Sequence, residues 1–322
     1  MYFNKNNNFF HGIMFHHFHD NGIHTKGQGS IDQEDFIKMI KFIGRKNIVD
    51  ADVFFEKFKE NKLKNNEVCL TFDDAIKCQI DIALPILEEL KIKSFFFVYT
   101  SMFEGKPDNL EIFRYFRMNY FITVDDFYNE FYKVLDKDLK IFFEKNKKKI
   151  KETKIKFPTY TIEDIKFRFV RDIFLKKKRY EEIMFIMFKE KNFKFEDFFK
   201  ILFFQKDDLI KLDNLGHLIG LHSHNHPTVL ENLTYSEQKN EYEKCLSSIS
   251  NILNKPKEKI KYMSHPCGSY NNNTLEILKE LNIELGFKQI MTIETEKNMK
   301  RINNSCLEIA REDHATIYKE MN

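Results

Sequence analysis

What most restricts the fold of this 322-residue chain is a recurring order: a short apolar run stops at polar residues, and an amphipathic stretch follows. "HGIMF" (11–15) stops at histidines; "SIDQEDFIKMIKFIG" (30–44) then sets Phe36, Met39, Ile40 and Ile43 at helical spacing, with Ser30 or Asp32 as N-cap and Gly44 as stop. "EVCLTF" (67–72) ends at two aspartates, "DDAIKCQIDIALPILEELKI" (73–92) reads as a helix around Pro85, and "KSFFFVYT" (93–100) reads as a buried strand. After residue 205 the order returns. Helices are expected at 206–216, 234–254 and 273–282, and strands at 217–227 and 259–271, with 284–290 and 305–317 as candidate last strands. Strands alternating with helices make a parallel sheet covered on both faces, and such sheets carry their functional groups at the carboxyl ends of the strands.

Residues 102–205 break the pattern, being rich in Phe, Lys, Ile and Glu with helical periodicity in pieces and weak strand signals. The expectation is therefore an α/β fold in three parts: 1–101 and 206–322 as the two halves of one catalytic β/α unit, and 102–205 as a helical insertion, a lid or subdomain. The lysine run "FFEKNKKKIKETKIK" (142–156) is expected to be a solvated helix face, with peripheral membrane contact as the lesser alternative.

Composition narrows the partners. Lys and Arg (52) nearly balance Asp and Glu (49), so the net charge of +3 gives no global field for nucleic acid. Thirty-five Phe beside no Trp carries no functional meaning on its own. The five cysteines are scattered and lack CxxC spacing, which argues against a disulfide framework or a thiolate zinc knot. No stretch reaches the ~18 apolar residues of a membrane span, and the first twenty residues lack the basic flank and cleavage site of a signal peptide. A cytoplasmic protein is expected.

The chemistry concentrates in two segments. In "HSHNH" (222–226), His222 and His226 stand i, i+4 and would share a metal ion if the chain turns, whereas His222 and His224 would pair if the strand continues. Pro227 and the loss of apolar alternation favour the turn, with His224 a bystander. Two imidazoles need a third ligand, and "LTFDDA" (70–75) offers adjacent carboxylates: one to hold a divalent ion, the other to take a proton from water activated there. The cation also offsets the repulsion between them. The competing reading of the pair is an acidic helix N-cap. A second histidine cluster, His16, His17, His19 and His24, has only Asp20 as a nearby carboxylate, so no second metal site is expected there.

"LTFDDA", "HSHNHP" and "SHPCGSYN" (264–271), in that order, resemble the motif set of the polysaccharide deacetylase family, the NodB-homology carbohydrate esterases, over roughly residues 11–100 and 205–317. The resemblance implies a distorted, incomplete (β/α) barrel. It implies Asp73 as base, Asp74, His222 and His226 as metal ligands, Ser223 as a turn residue, and the Cys267 backbone amide as an oxyanion donor. With no thiolate-activating constellation, a nucleophilic Cys267 is not expected. The family arginine that opens the third motif is Ser264 here, so Arg311 is the candidate to orient the base. The family's late Leu-x-His motif is absent in its usual form, and His314 or His16 is the candidate general acid. The implied activity is metal-dependent removal of an N-acyl group, most simply N-acetyl, from an amino sugar or sugar precursor in surface polysaccharide biosynthesis. The implied ion is Zn2+, with Co2+, Mn2+, Ni2+ or Fe2+ as alternatives. A deformylase or other amide hydrolase, a glycosyl hydrolase and a non-catalytic relative are the rival readings.

Overall fold

The structure is a computed structural model and describes the chain except for residues 1, 5, 6, 28, 136, 157–159, 292, 293, 297, 298, 302–304 and 322. In chain order the first elements are β1 (His11–Phe15), α1 (Gln33–Ile43), α2 (Ala51–Lys59), β2 (Val68–Phe72), α3 (Leu84–Glu89) entered through a π-turn at Gln79–Ala83, and β3 (Phe95–Val98). Then come α4 (Asn109–Asn119), α5 (Val124–Leu135), α6 (Lys140–Lys156), α7 (Ile162–Phe169), α8 (Lys176–Glu190) and the short α9 (Phe199–Leu202). The last stretch holds α10 (Lys206–Asn214), β4 (Leu218–Leu221), α11 (Tyr235–Leu253), β5 (Tyr262–Ser264), α12 (Asn272–Glu280), β6 (Leu285–Phe287), β7 (Glu294–Glu296), β8 (Met299–Arg301), β9 (Arg311–Asp313) and α13 (His314–Met321).

Seven strands pair in parallel in the order β6-β5-β4-β3-β2-β1-β9. A further parallel bridge, Phe287 to Ile309, ties β6 to the segment entering β9, so the sheet curls into a nearly closed, distorted barrel. Its interior is aromatic. Phe95 and Phe97 of β3 meet Phe287 of β6, and Cys69, Tyr262, Leu285 and Ile309 join the same cluster, with Phe54 and Phe55 of α2 packed against it. Phe96, pointing the other way along β3, stacks on Phe72 beneath the helices. Each fully buried ring is worth about 1.5–3 kcal/mol, which is why the near-continuous run Phe95–Val98 makes so firm a strand.

Two compact units emerge: Met1–Asp108 with Lys200–Asn322 as the barrel, and Asn109–Phe199 as a helical unit. The second has its own aromatic core, including Phe113, Phe116, Phe127, Phe131, Phe167 and Phe188. Three local features differ from expectation. The strand expected over 305–317 is only Arg311–Asp313, because the Asp313 carboxylate accepts the Ala315 N–H (2.8 Å) and starts α13 at His314. Helix α2, which the sequence reading does not include, buries Ala51, Phe54 and Phe55 at i, i+3, i+4. The antiparallel β7–β8 hairpin is likewise additional.

Candidate metal centre

The site lies where strand-to-helix connections leave the barrel, and its backbone is bent to build it. Asp74 (φ 73°) and Ala75 (φ 52°) after β2, Ser223 (φ 66°) and His226 (φ 53°) after β4, and Cys267 (φ 52°) after β5 all adopt left-handed conformations that side chains disfavour. The 222–226 segment is thus a bend rather than a helical turn, yet it brings His222 and His226 together as the turn reading requires, with ring centroids 5.1 Å apart. Ser223 holds the bend by accepting the His226 N–H (3.1 Å).

Three ligand atoms converge. Asp74 Oδ1 stands 3.1 Å from His222 Nε2 and 3.2 Å from His226 Nε2. The far sides of both rings are anchored: His222 Nδ1 to the Ser264 carbonyl (3.0 Å) and hydroxyl (2.7 Å), His226 Nδ1 to Asp108 Oδ2 (2.7 Å). Donation from Nδ1 to the Ser264 carbonyl and to Asp108 leaves lone pairs on both Nε2 atoms. Those nitrogens face a buried carboxylate oxygen that has no hydrogen-bond partner, an arrangement that repels itself unless a proton on a ring nitrogen or a metal cation lies between them. Their spacing suits a metal cation, since two ligands of a tetrahedral ion with bonds of about 2.0–2.1 Å lie roughly 3.3 Å apart. Asp74, His222 and His226 therefore form a divalent-metal-binding triad.

Asp73 is not one of the three ligands but stands beside them, within the electrostatic reach of His222. Buried at 1% exposure, it receives two parallel bonds from Arg311, Nη1 to Oδ1 and Nη2 to Oδ2, both 2.7 Å. Arg311 comes from β9, crosses β1 at Gly12, where a Cβ would stand 3.0 Å from its Cγ, and is fixed by the Lys288 carbonyl (2.9 Å) and the Thr71 hydroxyl (3.2 Å). Burial alone would raise the Asp73 carboxyl; the Arg311 guanidinium overrides it and holds the carboxyl below its ordinary range.

The remaining expected residues divide. His16, at the exit of β1, sets Nε2 3.9 Å from Asp74 Oδ2 and is partly exposed. Gln79 pins its neighbourhood by donating to the carbonyls of His16 (3.0 Å) and Asp73 (2.7 Å). His314 does not join the triad. Its two ring nitrogens face the backbone carbonyls of Met14 (3.1 Å) and Gly29 (2.7 Å), and its ring stacks on Phe15. The exposed Cys267 lies on the Pro266–Gly268 turn, with Sγ 4.0 Å from His226 Nε2. His224 turns away to the Thr100 hydroxyl (2.9 Å). Three supporting residues escaped the sequence reading: Asp108, Ser264 in its anchoring role, and Glu241, whose carboxylate accepts the His224 and Asn225 N–H groups (3.0 and 2.7 Å) and so clamps the ligand bend to α11.

The family model for polysaccharide deacetylases matches residues 60–115 and 119–286. The chain belongs to the polysaccharide deacetylase family. The match runs through the helical unit, wider than the motifs alone suggest, and stops before Arg311. No curated protein matches in sequence. Among solved structures, Streptococcus pyogenes deacetylase PplD in complex with acetate is 15% identical, with 94% of this chain and 90% of that one covered and a TM-score of 0.54. A de-N-acetylase from Aggregatibacter actinomycetemcomitans is 13% identical over 97% of this chain and 99% of that one, TM-score 0.54. The BpsB deacetylase domain from Bordetella bronchiseptica is 13% identical over 94% and 95%, TM-score 0.52. These likenesses are of fold. Family membership together with the triad makes this polysaccharide deacetylase relative a metal-dependent hydrolase of carbon–nitrogen amide bonds, acting on an N-acyl, sugar-related substrate. No helix among the described residues is long and apolar enough to cross a membrane.

Proposed function

We propose that the chain removes an N-acetyl group from an amino sugar of a surface polysaccharide or its precursor, with zinc as the resident ion. Two imidazoles and one carboxylate are a donor set suited to zinc. The observation that carries the proposal is the meeting of Asp74 Oδ1 with two anchored Nε2 atoms, beside a second carboxylate tied to Arg311. When bound, the ion polarises the acyl oxygen and brings the pKa of a water toward neutrality. Asp73, kept ionised by Arg311, accepts the proton of the attacking water. The Cys267 backbone amide donates to the oxygen on which charge develops. His16 hands a proton to the departing amine, because its ring borders the triad while both nitrogens of His314 are occupied by carbonyls. The five free cysteines support action in a reducing compartment, on a precursor rather than on finished polymer.

The test is incubation of zinc-loaded protein with a panel of N-acetyl amino-sugar precursors and oligosaccharides, followed by mass spectrometry. One substrate should lose acetyl, and neither metal-stripped protein nor Asp73→Asn should release it. Formate release instead would make the chain a deformylase. Full metal occupancy without turnover on any member of the panel would point to a binding relative.

A further inference from the structure

The chemistry of the barrel leaves the helical unit without a role, and the surfaces of the two differ in kind. Over residues 109–199 the chain carries 22 Lys and Arg against 16 Asp and Glu, whereas the remainder carries 30 against 33. The excess gathers on α6, with eight lysines and two glutamates, and on the run Lys176–Lys178 that opens α8. Lys147 and Lys148 answer the two glutamates, Glu144 at 3.3 Å and Glu152 at 3.9 Å. Lys145, Lys149, Lys151, Lys176, Lys177 and Lys178 are exposed and form no ion pair among the described residues. The two lysine runs are joined, because Phe174, two residues before Lys176, packs edge-on against Phe142 of α6 with ring centroids 5.2 Å apart. The unit is also apolar outside: of the fourteen large apolar side chains that stand exposed among the described residues, eight belong to it, although it holds under a third of the chain. Ile141 and Ile155, on α6, are 68% and 80% exposed. At 3.6 residues per turn they lie within about 40° of each other around the helix, on the side that also carries Lys145 and Lys148.

We infer that this lysine-rich face of the helical unit docks on an anionic lipid surface, with the lysines among the phosphate headgroups and Ile141, Ile155 and Phe174 in the interfacial layer. Positive charge alone suits any polyanion, nucleic acid included. Apolar side chains set among the lysines gain nothing from a phosphate backbone, but they gain at the boundary between headgroups and acyl chains. A cluster of four to eight basic residues on one helix is the size that holds a protein to acidic lipid, each lysine raising affinity about fivefold near the surface. That attraction fades within a Debye length, about 10 Å at 0.1 M salt. The contact is peripheral, in keeping with the lack of a membrane-crossing helix among the described residues. An anionic membrane is also where a lipid-carried sugar precursor is met; that consequence rests on the proposed function, whereas the docking itself does not.

Co-sedimentation of the full-length protein with vesicles tests this, one set of pure phosphatidylcholine and one with a quarter of it replaced by phosphatidylglycerol, in about 0.1 M salt. Wild type should pellet with the anionic vesicles and stay in solution with the neutral ones. Replacing Lys145, Lys149 and Lys151 together by Gln should weaken the binding about 100-fold, and Ile141→Ser with Ile155→Ser should weaken it about tenfold or more. Both variants should keep the wild-type metal content, so that loss of docking is separate from loss of the hydrolase site. Equal partition to the two vesicle sets, or none to either, would overturn the docking. Undiminished binding by the triple lysine variant would overturn its assignment to α6. An isoleucine variant that binds like wild type, together with tight binding of an RNA duplex, would make the face a site for polyanions in general and overturn the membrane assignment. If the triple variant does not fold, wild-type binding that survives about 0.5 M salt overturns the electrostatic contact by itself.

Discussion

Two histidine-rich segments leave this barrel, after β1 and after β4, and they have opposite fates. In the first, His19 Nδ1 meets the Ser30 hydroxyl (3.0 Å), His24 Nε2 meets Asp81 (2.8 Å), and Asp20 accepts the Gly22 and His24 N–H groups (2.9 Å each). Those rings hold a loop in shape, and only His16 turns toward the triad. In the second, His222 and His226 commit Nδ1 to fixed acceptors and aim Nε2 at one carboxylate oxygen. Imidazole content is the same kind of signal in both. What makes a ligand is the direction of the second nitrogen and a carboxylate opposite it.

The harshest way to break that contrast is to remove one imidazole from each segment. His226→Ala should abolish both metal binding and turnover, whereas His19→Ala should keep full metal stoichiometry by elemental analysis. Equal metal loss in the two variants would erase the distinction. Next in size is the pair beside the triad. Arg311→Met leaves Asp73 buried without its partner, and removing one member of a buried ion pair costs about 3–5 kcal/mol. A denaturation midpoint unchanged from wild type would show that Asp73 does not depend on Arg311. The pH dependence has a definite sign. Because Arg311 depresses the folded-state carboxyl, the pair's contribution is fully present above the ordinary carboxylate range, near about 4, and is lost as pH falls through the lower folded value. Wild type should therefore lose stability on acidification below that range, and Arg311→Met should lack this part of the fall.

The strands and the triad were open to sequence reasoning because both are local. Apolar runs such as Phe95–Val98 declare themselves, and Asp74, His222 and His226 sit at the ends of such runs. The supporting residues are not local. Asp108 stands in a polar loop with no periodicity, and Glu241 occupies a helix whose face reads as solvated although it is 7% exposed. Ser264 reads as a missing arginine, while the fold uses its carbonyl and hydroxyl to orient His222. Arg311 reaches Asp73 because β9 pairs in parallel with β1 and the arginine side chain crosses that strand at Gly12, a pairing that no local spacing encodes. His314 is a candidate by order along the chain alone; helix α13 begins there and turns both ring nitrogens onto backbone carbonyls.

An intermediate effect should come from the unforeseen anchor. Asp108→Ala frees the Nδ1 side of His226, and loss of such an outer partner typically weakens metal affinity by about 10–100-fold. Competition with a chelator would measure it. Affinity within twofold of wild type would mean that the bend held by Ser223 and Glu241 orients the ring without help.

The smallest effect belongs to the first segment. The buried His24 meets Asp81 at the edge of the fold, its own side chain 7% exposed and that of Asp81 38%. A half-buried hydrogen bond of this kind contributes about 0.5–1.5 kcal/mol. The backbone of the loop is held independently, through Asp20 and the Gly22 and His24 N–H groups. His24→Gln should therefore shift the unfolding midpoint by no more than that amount, and leave metal affinity and turnover at wild-type values. A fall in metal affinity would reveal that the loop after β1 positions His16 against the triad more tightly than its contacts imply, and the two histidine segments would then act as one site.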